Sequence, residues 1–129
     1  MPLVRFDILE GRSEDQIQTL LDAAHRAVVE AFEVPVEDRY QIVSEHKPGR
    51  LVALDTGLGI LRSKNVTLVS VLSRPRSDDA KQRFYAILCR ELHAACGIEP
   101  DDVIVALTIN SDTDWSFGLG RAQFLTGEL

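Results

Sequence analysis

The pair Arg74 and Arg76, set either side of Pro75, is the part of this 129-residue sequence whose spacing most directly suggests chemistry. Proline drives the residue before it into extended backbone, so side chains at i and i+2 project to the same side. Ser77 follows and is a helix-capping residue, which sets both guanidiniums beside unpaired backbone N–H groups that favour an anion. The planar arginine fork is suited to gripping a carboxylate. The same arginines could pair instead with Asp78, Asp79 or the chain's other carboxylates on a solvated surface, and the residues alone leave both readings open.

A second group that could react is Pro2. Methionine before a small residue is normally trimmed in the cytoplasm, so Pro2 is expected to become a terminal secondary amine at the start of a strand. The Met1-Pro2 pair is a weak sign by itself, and its meaning depends on what the fold brings near it. A further candidate is Asp38, just before a predicted strand. The tail from Ser111 to Leu129 holds Trp115, Phe117 and Phe124 among three glycines, at spacings that exclude a helical stripe. These rings either pack on the sheet, the commoner outcome, or wall a pocket.

The elements that must position these residues are legible from periodicity. Residues 2–8 alternate, with Val4, Phe6 and Ile8 on one side, and predict a strand. Ser13 with Gln16 three residues later is a capping box, opening a helix whose stripe is Ile17, Leu20, Leu21, Ala24, Val28, Ala31 and Phe32. Tyr40 to Ser44 predicts a second strand. Leu51 to Leu54 is compatible with a short strand, and Thr56 to Gly59 with a loop. Asn65 to Ser73 is a third strand, and Ser77 caps a second helix running to about Ala95, closed by Gly97. Its predicted stripe is Phe84, Leu88, Leu92 and Ala95. The apolar run Val103 to Ile109 suits a strand covered on both faces.

A shift of 64 residues superposes Ser13 on Ser77, the strand at 2–8 on 66–72, and Asp38 on Asp102. The chain is therefore one α+β domain, 1–129, with repeats at about 2–57 and 66–109 and a tail at 110–129. Two right-handed β-α-β units side by side predict a four-stranded mixed sheet with both helices on one face. The other face, to which Val69 and Val71 are assigned, needs a cover, most simply another subunit. If the repeats are related by a pseudo-twofold axis, strands one and three run antiparallel at the centre. Pro2, Arg74, Arg76 and Asp38 then meet at one end of the sheet, and Asp102 falls at the other.

Composition bounds the function. The chain has 45% hydrophobic and 26% charged residues and a net charge of −6, ordinary for a globular domain and unfavourable for nucleic acid or an anionic membrane surface. It has no run long enough to span a bilayer and no signal region, which predicts a cytoplasmic protein. The cysteines, Cys89 and Cys96, lie two helical turns apart, too far for a disulfide, and are expected to be buried thiols. His25, His46 and His93 have no metal-ligand spacing with each other or with the cysteines, so no metal site is expected.

With these features in place, the chain resembles the tautomerase superfamily, and within it the malonate semialdehyde decarboxylase branch. The resemblance spans essentially the whole chain. It is carried by Asp38-Arg39-Tyr40, Asp55-Thr56-Gly57-Leu58-Gly59, Ser73-Arg74-Pro75-Arg76-Ser77 and Asp112-Thr113-Asp114-Trp115-Ser116-Phe117-Gly118, with the repeat, the N-terminal proline and a hairpin-like tail. It implies a homotrimer acting without cofactor on a small carboxylate, by decarboxylation of malonate semialdehyde to acetaldehyde. Pro2 would be the catalytic amine and Arg74 and Arg76 the carboxylate grip, with Asp38 assisting. Trp115, Phe117, Phe124 and Leu129 would line the pocket. Two alternatives stand beside it: a tautomerase or hydratase/dehalogenase acting on 2-oxo or unsaturated acids, and a non-catalytic trimeric module that only binds carboxylates.

Overall fold

The computed structural model describes residues 1–129, in which the two halves are near-copies offset by 64 residues. Strand β1 (Leu3–Leu9) leads into helix α1 (Glu14–Phe32) and strand β2 (Tyr40–His46). Strand β3 (Thr67–Ser73), helix α2 (Asp78–Cys96) and strand β4 (Val103–Ile109) repeat the unit. Both helices start where their caps dictate. The Ser13 Oγ accepts the Gln16 N–H at 3.2 Å while the Gln16 side chain accepts the Ser13 N–H at 2.9 Å, and the Ser77 Oγ accepts the Ala80 N–H at 3.1 Å. Both end on a left-handed residue. At the end of α2 this is Gly97 (φ 67°); at the matching position of α1 it is Glu33 (φ 53°), where a side chain makes the same turn less favourable.

The sheet order is β2-β1-β3-β4, parallel within each repeat and antiparallel where β1 meets β3. Val4, Phe6 and Ile8 point towards the helices, as their alternation predicts, and meet Leu20, Ala24 and Val28 of α1 and Phe84, Leu88 and Leu92 of α2 in one core. Phe32 stacks on Phe84 at 4.8 Å between ring centres, tying the end of α1 to the start of α2. No helix is long and apolar enough to cross a membrane.

Several sequence expectations are corrected. Val69 and Val71 lie opposite Phe6 and Val4 and belong to the helix-side core, not to the open face. The open face instead carries the residues out of phase with them. Leu3, Leu68, Leu72 and Ile104 are half-buried there, Ile42 is exposed, and Asp7 is bonded to His46 at 2.7 Å. Strand β4 is an edge strand, and in the single chain its Ala106, Thr108 and Ile109 are exposed. In α2, Ile87 takes the buried place expected for Ala95, which is exposed. The two cysteines are half-buried rather than enclosed, and burial raises both thiol pKa values.

No strand forms at 51–54, and the tail is not a hairpin but a single 3₁₀ turn (Asp112–Asp114) followed by the short helix α3 (Gln123–Thr126). The connection between repeats is held by polar contacts instead. Asp55 Oδ2 accepts the backbone N–H groups of Gly59 at 2.8 Å and Gly57 at 3.1 Å, and these donors hold its carboxyl below the usual range. The Asp-Thr-Gly-Leu-Gly stretch is thus a self-bonded turn.

Asp102, at the start of β4, accepts the Ser63 N–H at 2.6 Å and the Ser63 hydroxyl at 2.5 Å, and is itself buried. It pins the connection to the end of the sheet away from Pro2. Asp102→Ala strands those donors and is expected to lower stability by about 1–3 kcal/mol in urea unfolding. Carboxylate binding at the other end should stay intact. Impairment matching that of Asp38→Ala would contradict a site confined to one end.

Candidate functional site

Strand register brings the candidate residues together. Leu3 lies opposite Tyr40 on one side and Leu72 on the other, so Pro2, Asp38 and Arg74 converge at one end of the sheet. Pro2 is fully buried. The loop between α1 and β2 that carries Asp38 is held from beneath: buried His25 of α1 hydrogen bonds the Val36 carbonyl at 2.6 Å, and the Asp38 N–H donates to Pro35 at 3.0 Å.

With Met1 in place, its α-amino group forms an ion pair with Asp38. Burial pushes the pKa of this amine down, Asp38 pulls it up, and Arg76 and Arg74 push it down again. One amine therefore feels the carboxylate and both guanidiniums, the juxtaposition expected from pseudo-twofold symmetry. The Pro2 nitrogen is one residue further into the strand, and while Met1 is attached it is an amide without basicity.

The two arginines are fixed in parallel ways. The Arg74 Nε–H donates to Asp112 at 2.6 Å, and its guanidinium lies over the Phe124 ring at 4.3 Å. The Arg76 Nε–H donates to the Ser73 hydroxyl at 3.0 Å and its Nη1 to the Phe32 carbonyl at 3.3 Å, over the Phe32 ring at 4.9 Å. Neither pairs with Asp78 or Asp79. Burial, reinforced by Arg74 and opposed by Asp38, lowers the Arg76 pKa, yet a guanidinium keeps its charge at any working pH. Each thus has one edge and one ring face occupied by protein, leaving Nη donors for a ligand.

The tail supplies an aromatic wall. Trp115 stacks on Phe117 at 5.5 Å with planes 9° apart, and Phe117 meets Phe124 edge-on at 5.7 Å. The Trp115 indole N–H donates to Asn110 at 2.8 Å, and Asn110 is joined to β3 through the Ser73 carbonyl at 2.8 Å. A cavity of ≈ 480 Å³ opens beside the amine; Met1, Asp38, Tyr40, Phe117 and Leu129 are among its walls. Trp115 and Phe124, which contact Phe117, are not among its walls, and neither are Arg74 and Arg76. A larger cavity of ≈ 600 Å³ occupies the opposite end, where Glu10-Gly11-Arg12 replaces the Arg-Pro-Arg triplet and Glu10, Arg12, Asp15 and Lys64 share the walls.

Sequence reasoning gave no site role to Tyr40, Gln123 or Asp112, although Tyr40 and Asp112 lie in stretches that carry the family resemblance. Tyr40 packs on Phe117 at 5.8 Å, and its signal was position: first in β2, two residues after Asp38. Gln123 carries no sequence signal, because its role appears only when the tail folds back. Its side chain accepts the Phe117 N–H and donates to the Gly118 carbonyl, both at 2.9 Å. Asp112 was a carboxylate facing an arginine across 38 positions, a separation that periodicity cannot read.

Comparison with known proteins places this geometry in context. A family model described as tautomerase enzyme matches residues 38–118, and a second of the same description matches residues 2–59. The chain is 53% identical to "Probable tautomerase YrdN" of Bacillus subtilis (strain 168) over 129 residues, all of both chains. It is 60% identical to a crystal structure of malonate semialdehyde decarboxylase, a protein described as having decarboxylase and hydratase activities; the TM-score is 0.97 and 98% of each chain is covered. The FG41 malonate semialdehyde decarboxylase inhibited by 3-bromopropiolate is 41% identical, with TM-score 0.94 over 98% of this chain and 97% of that one.

The wall's dependence on Gln123 is open to direct measurement, because the chain has a single tryptophan. Gln123→Ala removes both braces of the Phe117–Gly118 turn. Emission from Trp115 is expected to shift to longer wavelength as water reaches the stacked rings, and an unchanged spectrum would show that the wall stands without the brace.

Proposed function

The chain belongs to the tautomerase family, and from that premise we propose that it is a cofactor-independent decarboxylase of malonate semialdehyde, armed when Met1 is removed and Pro2 becomes a free amine. The observation that carries this reading is the convergence of an amine, Asp38, Arg74 and Arg76 beside an aromatic wall. The likeness to two malonate semialdehyde decarboxylases supports it.

In the proposed reaction the substrate carboxylate is held by Arg74 and Arg76, which turn the breaking C–C bond perpendicular to the carbonyl plane. The bond electrons pass into the carbonyl as CO2 departs, and negative charge gathers on the carbonyl oxygen. The Pro2 ammonium hydrogen bonds to that oxygen and stabilises the enolate. Protonation at carbon then yields acetaldehyde. Asp38 favours the charged amine that this role requires. The aromatic wall limits water and strengthens each of these interactions.

A second reading, keto–enol tautomerisation of a small 2-oxo acid, is favoured by one observation. Burial depresses the amine that stands at this place with Met1 attached, and a tautomerase needs the neutral amine as a base. The two readings predict opposite pH dependence: decarboxylation falls as pH rises through the Pro2 pKa, and base-catalysed tautomerisation rises.

The deciding assay uses protein whose intact mass shows Met1 removed, comparing CO2 release from malonate semialdehyde with ketonisation of phenylpyruvate enol and turnover of 3-haloacrylates. Malonate semialdehyde is expected to be the best substrate, with Pro2→Ala and Arg76→Ala each costing about 10²-fold or more in kcat/KM. Absence of CO2 release would overturn the decarboxylase reading, and full function in Pro2→Ala would favour a module that only binds carboxylates.

The proposed working form is a homotrimer. The open sheet face supports this, as do Val52, Leu54, Leu58 and Leu61, which the single chain leaves 74–85% exposed. Light scattering is expected to give three times the mass of the chain, and a monomer at micromolar concentration would contradict it.

A further inference from the structure

Arg74 and Arg76 occupy one grip but are not electrostatic equals. The hydrogen bond to Asp112 is the one Arg74 makes, and it joins opposite charges at 2.6 Å. Arg76 is anchored by neutral acceptors, the Ser73 hydroxyl and the Phe32 carbonyl. One guanidinium therefore touches a carboxylate, while the other feels Asp38 only at a distance. The Arg74–Asp112 pair is more than one-third exposed on both sides, so its contribution to folding stability is small. Its geometry has a sharper consequence. Asp112 takes the Nε edge and Phe124 covers one ring face, which leaves the Nη nitrogens of Arg74 as the free donors.

This asymmetry matters because decarboxylation discharges the group being gripped. A carboxylate held by two uncompensated cations is stabilised most in the ground state, and that stabilisation is lost as neutral CO2 forms, which raises the barrier. A grip that orients through hydrogen bonds while carrying less net charge avoids part of that penalty. We propose that Asp112 is a positioning residue for Arg74 and tempers its charge, making Arg74 a director of the substrate carboxylate and leaving Arg76 as its principal electrostatic anchor. Asp112 touches no substrate and acts through Arg74. It also makes the tail a working part of the grip, since Asp112 and Phe124 both lie beyond β4. The inference deepens the decarboxylase reading and rests on it.

Three variants separate position from charge. In Asp112→Asn the amide oxygen can still accept the Arg74 Nε–H, but the negative charge is gone. Binding of an unreactive short carboxylate such as propanoate, followed through Trp115 fluorescence, is expected to tighten several-fold. With malonate semialdehyde, KM and kcat are both expected to fall. The pH above which activity declines should move to lower values, because Arg74 then disfavours the Pro2 ammonium more strongly. In Asp112→Ala the anchor is lost as well, so KM is expected to rise and kcat/KM to drop about tenfold; Asp112→Glu should recover most of that drop. A role confined to holding the tail would weaken binding in Asp112→Asn and leave the pH profile where it was, and that result overturns the proposal. Wild-type protein that binds propanoate but releases no CO2 would refute the decarboxylase reading instead, while the propanoate comparison still decides whether Asp112 tempers Arg74.

Discussion

The antiparallel pairing of β1 with β3 is the contact on which the rest of the arrangement depends. Each repeat alone is a parallel β-α-β unit, whose strands both begin at the same end. Joining the units across Leu3–Leu72 sets the start of the first strand of one repeat against the end of the first strand of the other. The first residues of the chain thereby reach the Arg-Pro-Arg triplet, more than seventy positions away. The same pairing makes a second, symmetry-related end, where Arg12 occupies the place of Arg76 and Asp102 that of Asp38. The two ends share a scaffold and differ in chemistry. At one, a carboxylate meets an amine and cations; at the other, it closes a loop on Ser63.

Placing like charges close together at the edge of a core is costly, and the fold offsets the cost locally. Arg76 is half-buried beside another guanidinium, and burial disfavours its charged form. It is held by a hydroxyl, a carbonyl and the face of Phe32, while Arg74 has Asp112 and the face of Phe124. Asp38 adds the opposing charge. The result is a local concentration of positive groups, the amine with Arg74 and Arg76, on a chain whose overall charge is −6.

Much of the fold was legible because its signals are local. Capping residues, the alternation in β1 and the terminal glycine of α2 act within a few residues, and the 64-residue offset organised them into repeats. The misreadings have one cause, that an apolar residue does not announce which partner will cover it. Val69 and Val71 read as candidates for the open face, yet antiparallel register put them beside Phe6 and Val4. Ala95 continued a helical stripe that the core does not reach. Around the site, the Arg-Pro-Arg geometry and the position of Asp38 followed from the sequence, whereas the contacts of Tyr40 with Phe117, of Asp112 with Arg74 and of Gln123 with the Phe117–Gly118 turn appear only in the fold.

The sequence by itself determined the main helices and strands, their repetition and the chemical types of the candidate site groups, because backbone propensity and chemical type are properties of short segments. Only the tertiary structure decided how those groups are balanced. Whether an arginine is bare or compensated, whether a ring walls a cavity or stands behind one, and which end of a pseudo-symmetric sheet carries the charge all depend on distances between side chains. Those distances are fixed by strand register and by the folding back of the tail, and a Coulomb interaction or a hydrogen bond a few ångströms long has no counterpart in linear spacing.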